Sequence, residues 1–249
     1  MDTLRYKIQN TKELLLSRLS FSNAENDIFQ RFVYLRVPLE VMKGKASKNQ
    51  TRNYFFFVLA IFFVISVYAQ IVFPEPYSIF RNTISDQGGI MLNPIGHKLW
   101  NFGIVLLGIL SIPHFLYLYH ILKSLSIIYS TLSTALGILC SLSMSFVGIF
   151  PQDFEVPHGI FASICFLGSF IKANSDLILY IIEKRKQKGE EYTLKVPKYI
   201  LIGAFYVLFN VSFLMMMGTY FIDMKLVPFW EWAYFLSILV WILGTYIIK

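Results

Sequence analysis

Six stretches of the chain are almost wholly apolar, at about 54–73, 97–121, 129–150, 157–182, 197–221 and 228–248. Each is roughly 20 residues or longer, enough for a helix to cross a hydrocarbon core about 30 Å thick. Polar residues gather at the connections, which are short except for 74–96 and 183–196. Within a run the apolar positions are contiguous; they do not alternate with polar ones over about ten residues, as transmembrane β-strands would. The pattern predicts an all-α, polytopic membrane protein: a six-transmembrane-helix bundle over residues 53–249, preceded by a cytoplasmic segment, 1–52. In that segment Leu4, Ile8, Leu15 and Leu19 recur at helical spacing among Arg and Lys. This is the pattern of a basic amphipathic helix that either lies on the inner leaflet or caps the bundle. A second apolar group, Phe29 to Met42, is interrupted by Arg31, Arg36 and Pro38. The first 50 residues are polar and mixed in charge, so the first span is expected to act as its own insertion signal.

Composition narrows the class further. Of 249 residues, 56% are hydrophobic and only 15% charged, against about 25% charged in a typical soluble domain. That excludes a soluble enzyme, a disordered chain and a disulfide-stapled secreted domain. The net charge of +7 would suggest nucleic acid in a soluble protein, but its distribution has a simpler cause. Residues 1–52 hold ten Lys and Arg, and the connection after the fourth span holds Lys184, Arg185, Lys186, Lys188, Lys195 and Lys198. The opposite side carries only Arg81, Lys98 and Lys225. Positive charge is retained on the cytoplasmic side, so both termini are expected inside, and the partner is the lipid bilayer with no role for nucleic acid. Cys140 and Cys165 sit inside apolar runs at no metal or disulfide spacing, and read as packed thiols.

Within the spans, Ser133, Gly137, Ser141 and Ser145 place small residues every four positions on the third helix. Such a ridge lets helix backbones approach closely in lipid. Pro113 removes one backbone hydrogen bond from the second span. Asn210 reads as packing glue, and Trp230 and Trp232 as an outer interfacial belt.

The candidate chemistry lies at the outer ends of the spans. Ser85-Asp86-Gln87-Gly88-Gly89 follows the first; His97 and Asn101 open the second on one helical face; Asp153 and Glu155 follow the third; Pro157-His158 opens the fourth; Glu231 opens the sixth. Three helices point their N-termini, with unpaired amides and positive dipole ends, to this side. We take Asp86, His97, Asn101, Asp153 and His158 as candidate ligand-binding residues, the acids orienting the histidines or attracting a cation. Asp153 and Glu155 also suit plain helix capping.

The Ser-Asp and Gly tract, Asn93-Pro94 with Trp100-Asn101-Phe102, and Gly148-Ile149-Phe150-Pro151-x-Asp153 followed by His158 resemble the prokaryotic six-helix family called "domain of unknown function 998". The likeness covers roughly residues 54–248. It implies a six-helix integral protein of a prokaryotic plasma membrane, with no established activity. A more distant likeness is to the Frag/DRAM-like membrane proteins. Two cofactor readings stand beside it. His97 and His158 with Asp86 and Asp153 offer residue types suited to a catalytic zinc, as in a metal-dependent lipid hydrolase, although no HxxxH or HExxH is present. The same two histidines suit bis-His haem ligation. Neither the cofactor nor a protein partner is specified by the residues.

In the fourth span Lys172 and Asp176, four residues apart, lie about 21 and 27 Å from His158 along a helix. They form either an intramembrane pair with a functional role or the inner interfacial end of a shorter helix. The function these observations favour is binding or transport of a lipid headgroup or small polar solute at the outer cluster. The alternatives are a metal-dependent lipid hydrolase and a structural or assembly protein without a ligand site.

Overall fold

A computed structural model describes residues 33–187 and 196–248. The amphipathic stretch expected before residue 33 lies outside the described residues. Those described form seven α-helices and no strand. Helix α1 (Val33–Met42) is short and contains Pro38. It is followed by α2 (Lys48–Ile71), α3 (His97–Leu122), α4 (Ile127–Ile149), α5 (Glu155–Gln187), α6 (Val196–Ile222) and α7 (Val227–Ile248). All from α2 to α7 contain a segment long and apolar enough to cross a membrane. The protein is therefore an integral, multi-pass membrane protein.

Helix α2 starts at Lys48, six residues before its apolar run, because Ser47 and Gln50 form a reciprocal capping box: Gln50 N donates to Ser47 Oγ at 3.2 Å and Ser47 N to Gln50 Oε1 at 2.8 Å. Its buried residues, among them Thr51, Phe55, Val58, Phe62, Ile65 and Ala69, follow the helical repeat. Phe57, Val64 and Val67 on the other face are exposed. A helix apolar on both faces needs hydrocarbon around it.

Before the first span, α1 packs against α3, with Val41 fully buried. Gly44 turns the chain at φ 66°, and a Cβ there would lie 2.6 Å from His120 Cβ. Glycine is required on both counts.

Helices α3, α4 and α5 pack in sequence, and α6 pairs with α7. Helix α7 also touches α2 and α5, so it is the most enclosed span, whereas α6 is the most exposed. Phe62 lies 5.3 Å from Trp100 and 5.5 Å from Phe235 between ring centroids, joining α2, α3 and α7.

The small-residue ridge on α4 meets α3. Ser133, Gly137, Ser141 and Ser145 are all buried. Ser145 Oγ donates to the Val105 carbonyl at 3.2 Å, and the Cβ position of Gly108 presses on Ser145 and the Ser141 backbone. Helix α3 continues through Pro113. The Asn210 amide donates to Tyr206 O one turn earlier, at 2.8 Å, in its own helix. Both cysteines are buried free thiols.

Trp232 does not belong to an interfacial belt. It is 5% exposed, and its Nε1 donates to Tyr77 Oη at 2.9 Å. The polar connection 72–96 folds over the end of the bundle and supplies this partner, so the indole faces inward.

Helix α5 does not end early. It runs unbroken past Lys172 and Asp176, and both side chains are buried. Lys172 Nζ lies 2.6 Å from Asp176 Oδ2. Asp176 also accepts from Ser133 Oγ on α4 and, at 3.1 Å, from Trp241 Nε1 on α7. The Lys172 ammonium lies 5.1 Å from the Phe115 ring centroid on α3. The pair thus ties four helices together inside the bundle.

Candidate functional site

Most hydrophobic residues of the connection between α2 and α3, among them Phe80, Met91 and Ile95, are exposed, and buried amides hold it. Asn93 is fully buried. Its Nδ2 donates to Ala69 O and Gln87 O, each at 3.0 Å, while its Oδ1 accepts from Gly96 N at 2.9 Å. Gln87, also fully buried, accepts from Ser66 Oγ at 3.3 Å and donates to Tyr77 Oη at 3.4 Å. Burial raises the Tyr77 pKa and keeps the phenol protonated. Its hydroxyl can therefore donate to Thr83 O at 2.8 Å while accepting from Trp232.

These contacts place the 3-10 helix Ser85–Gly88 over the bundle. Gly88 is required here by close approach, not by left-handed backbone: a Cβ would lie 2.8 Å from Trp100 Cδ1 and closer still to Asn101 Oδ1.

The candidate residues divide by what they touch. Asp86 turns back on its own loop, accepting from Thr83 N at 2.9 Å and Thr83 Oγ1 at 2.7 Å. Asp153, between α4 and α5, accepts from Ile90 N at 2.6 Å and Met91 N at 3.3 Å, fastening one connection to the other. His97 Nδ1 lies 3.0 Å from Asn93 O. These three do not line the cavities described below. Asn101 and His158 do. Asn101 Nδ2 donates to Gly88 O at 2.9 Å. His158 Nδ1 lies 2.9 Å from Phe150 O, and its Nε2 3.1 Å from Ser85 Oγ. Ser85 Oγ is in turn 3.3 Å from Oε1 of Glu231, a buried carboxyl on α7.

Two cavities meet at this group. The larger, about 550 Å³, lies between α5, α6 and α7. Its polar end is Thr83, Ser85, Gln152, His158 and Glu231; its walls are Ala162, Phe166, Leu167, Phe213, Met216, Met217 and Phe221. The smaller, about 40 Å³, lies among α3, α4 and α5 and is lined by Asn101, Met144 and Cys165. Ser85, Gln152, His158, Ala162 and Phe166 line both. The larger volume falls in the range of about 300–1,000 Å³ common for small-molecule sites. Ser163 and Tyr220 add polar groups on the exposed part of its lining.

The sequence reading does not single out Ser85, Gln152 or Glu231 as ligand-facing. Glu231 carried a usable signal, an acid buried within an apolar run. Among the described residues, no three His, Cys, Asp or Glu side chains are grouped so as to hold a metal ion.

Asp153 makes a pH prediction. Burial raises its pKa somewhat, but the Ile90 and Met91 amide bonds and the nearby His97 outweigh this, and the net shift is downward. A lowered folded-state pKa means its stabilisation is complete above the ordinary carboxylate range and is lost as pH falls through the lowered value. Asp153→Asn is expected to reduce thermal stability at pH 7 slightly, by less than about 1 kcal/mol because the carboxylate is exposed. The gap to wild type should narrow as pH falls below the ordinary carboxylate range. Thermal unfolding in detergent across an acid pH series checks this; a gap that widens in acid contradicts it.

Residues 57–247 match the family described as Protein of unknown function (DUF998), and the chain belongs to that family. That match does not confirm the Frag/DRAM-like likeness. No curated protein matches the chain, and no solved structure does.

Proposed function

We propose that this member of the family binds a single-chain or small membrane amphiphile, its headgroup at Ser85, Gln152, His158 and Glu231 and its chain along the apolar walls of α5 and α6. The supporting observation is the 550 Å³ cavity, polar where Ser85, Gln152, His158 and Glu231 converge and mainly apolar along its walls. Apolar walls favour hydrocarbon at about 25 cal/mol per Å² buried, and a few convergent polar groups fix orientation. In this reading Asn101, Asp86, Asp153 and His97 shape the site: Asn101 holds Gly88, Asp86 shapes the loop that carries Ser85, Asp153 fastens that loop, and His97 braces its exit. The basic charge of the opposite side supports an outer-leaflet position for the cavity, in the prokaryotic plasma membrane that the family resemblance implies.

Leu167, Met217 and Phe221 stand at the cavity wall yet are 52%, 43% and 86% exposed. They give the cavity an apolar rim facing the bilayer. A lipid entering there stays in contact with hydrocarbon.

The test uses Ala162, which lines both cavities. Ala162→Trp fills the junction without removing a hydrogen bond. Wild-type protein purified in mild detergent is expected to retain stoichiometric lipid by mass spectrometry of the organic extract. The variant should lose at least 90% of it, roughly the tenfold change that about 1.4 kcal/mol produces, while migrating as wild type on size exclusion. Equal retention by both proteins overturns the proposal.

A further inference from the structure

We propose that Ser85 and His158 are a nucleophile and general base that hydrolyse an acyl ester bound in the larger cavity. This rests on the amphiphile-binding reading and adds to it the reaction and the substrate class, an ester-linked acyl lipid.

Geometry carries the inference. A nucleophilic serine needs a base within about 2.6–3.2 Å and a third group that orients the base. Ser85 Oγ lies 3.1 Å from His158 Nε2, and His158 Nδ1 lies 2.9 Å from Phe150 O. A carbonyl can only accept, so Nδ1 carries the hydrogen, and the neutral ring presents a lone pair at Nε2 to the serine hydroxyl. Glu231 completes the array. Its Oε1 accepts from Ser85 Oγ across the 3.3 Å contact, and rotation of the hydroxyl turns the same hydrogen to Nε2 at 3.1 Å.

The surroundings suit the remaining steps. Gln152 lines both cavities, and its Oε1 is buried with no hydrogen-bond partner. Amide oxygen and nitrogen exchange places by a half-turn, so this side chain can present its NH2 to a developing oxyanion. The 40 Å³ cavity behind the dyad has room for water, which needs at least about 10–15 Å³.

In the first step Ser85 Oγ bonds to the acyl carbon and its proton passes to His158 Nε2. The ester C–O bond breaks, and the leaving alcohol takes that proton. In the second, water bonds to the acyl carbon and gives a proton to Nε2. The Ser85–acyl bond breaks, and Oγ recovers the proton from His158. No metal or redox partner is required.

The test is covalent. An alkyl fluorophosphonate has a chain for the apolar cavity and phosphonylates an activated serine: the O–P bond forms, the P–F bond breaks, and fluoride leaves. Wild-type protein in nanodiscs is expected to carry the adduct on Ser85, located by peptide mass spectrometry. Ser85→Ala should carry none at this peptide. His158→Gln keeps a donor for Phe150 O but no proton acceptor of imidazole basicity, and should slow labelling about 100-fold, the lower end of a general base's contribution. A pH dependence of labelling that wild type shows and His158→Gln lacks is a signature that a purely structural histidine would not give. An unlabelled wild-type Ser85, or equal labelling rates in wild type and His158→Gln, overturns the inference. Lipid retention measured on the same preparations in detergent, before they enter nanodiscs, separates the two readings: retained lipid with an unreactive Ser85 removes catalysis and leaves binding.

Discussion

Asp176→Leu is expected to destabilise the bundle by about 3–5 kcal/mol, the cost of leaving one member of a buried ion pair without its partner. Lys172 is 5% exposed, and the carboxylate 2.6 Å away is its counter-charge. The Phe115 ring face at 5.1 Å offsets only a small part of that loss. The same substitution also removes the acceptor for Ser133 Oγ and for Trp241 Nε1. Thermal unfolding followed by size exclusion should show the loss directly. Lys172→Met with Asp176→Leu removes both charges and should recover most of it, because well-packed apolar replacements of buried pairs are often neutral or better. If the double variant is as unstable as the single one, the hydrogen bonds of Asp176 matter more than its charge.

Gly108→Val is the second large effect. Helices α3 and α4 cross at this glycine, where even a Cβ would lie 2.9 Å from Ser145 N and closer to Ser141 O and Ser145 Oγ. Two of these atoms are backbone, so no rotamer change can relieve the clash and the helices must separate. A loss of about 1–3 kcal/mol is expected from overpacking, with Gly108→Ala at the low end. Ser145→Ala should not rescue either variant, since the Ser141 carbonyl remains. Melting temperatures of wild type, the two Gly108 variants and their Ser145→Ala doubles in one detergent decide it; rescue by Ser145→Ala would move the collision to the hydroxyl.

The helices were readable from the sequence because hydrocarbon demands contiguous apolar residues, and no tertiary context is needed to see them. Helix α2 begins earlier than its apolar run because a capping box, Ser47 with Gln50, extends it into polar sequence. The small-residue ridge on α4 was readable for the same reason, spacing alone. Depth was not. Lys172 and Asp176 stand at i and i+4, but their burial depends on Ser133, Phe115 and Trp241, which lie on other helices.

The polar end of the bundle follows the same division. His158 stood out by residue type. Its partners did not, since Ser85 is 73 residues away, and Glu231 lies a further 146 residues along the chain from Ser85. Asp86 carried a local signal of its own: Thr83-Ile84-Ser85-Asp86 has the Thr-x-x-Asp spacing that favours reciprocal side chain–backbone bonds. Trp232 looked interfacial because its position near the end of a span suits a belt, and only the folded connection shows what its indole meets.

The hydrogen bonds of Asn93, Gln87 and Asp153 close the bundle on its loop side. In the amphiphile-binding reading, a compound enters the larger cavity sideways from the leaflet, past the exposed rim of Leu167, Met217 and Phe221. Occupancy would then track the mole fraction of the compound among its neighbouring lipids and not its concentration in water. Diluting the aqueous phase would leave the site filled, whereas adding detergent micelles would drain it.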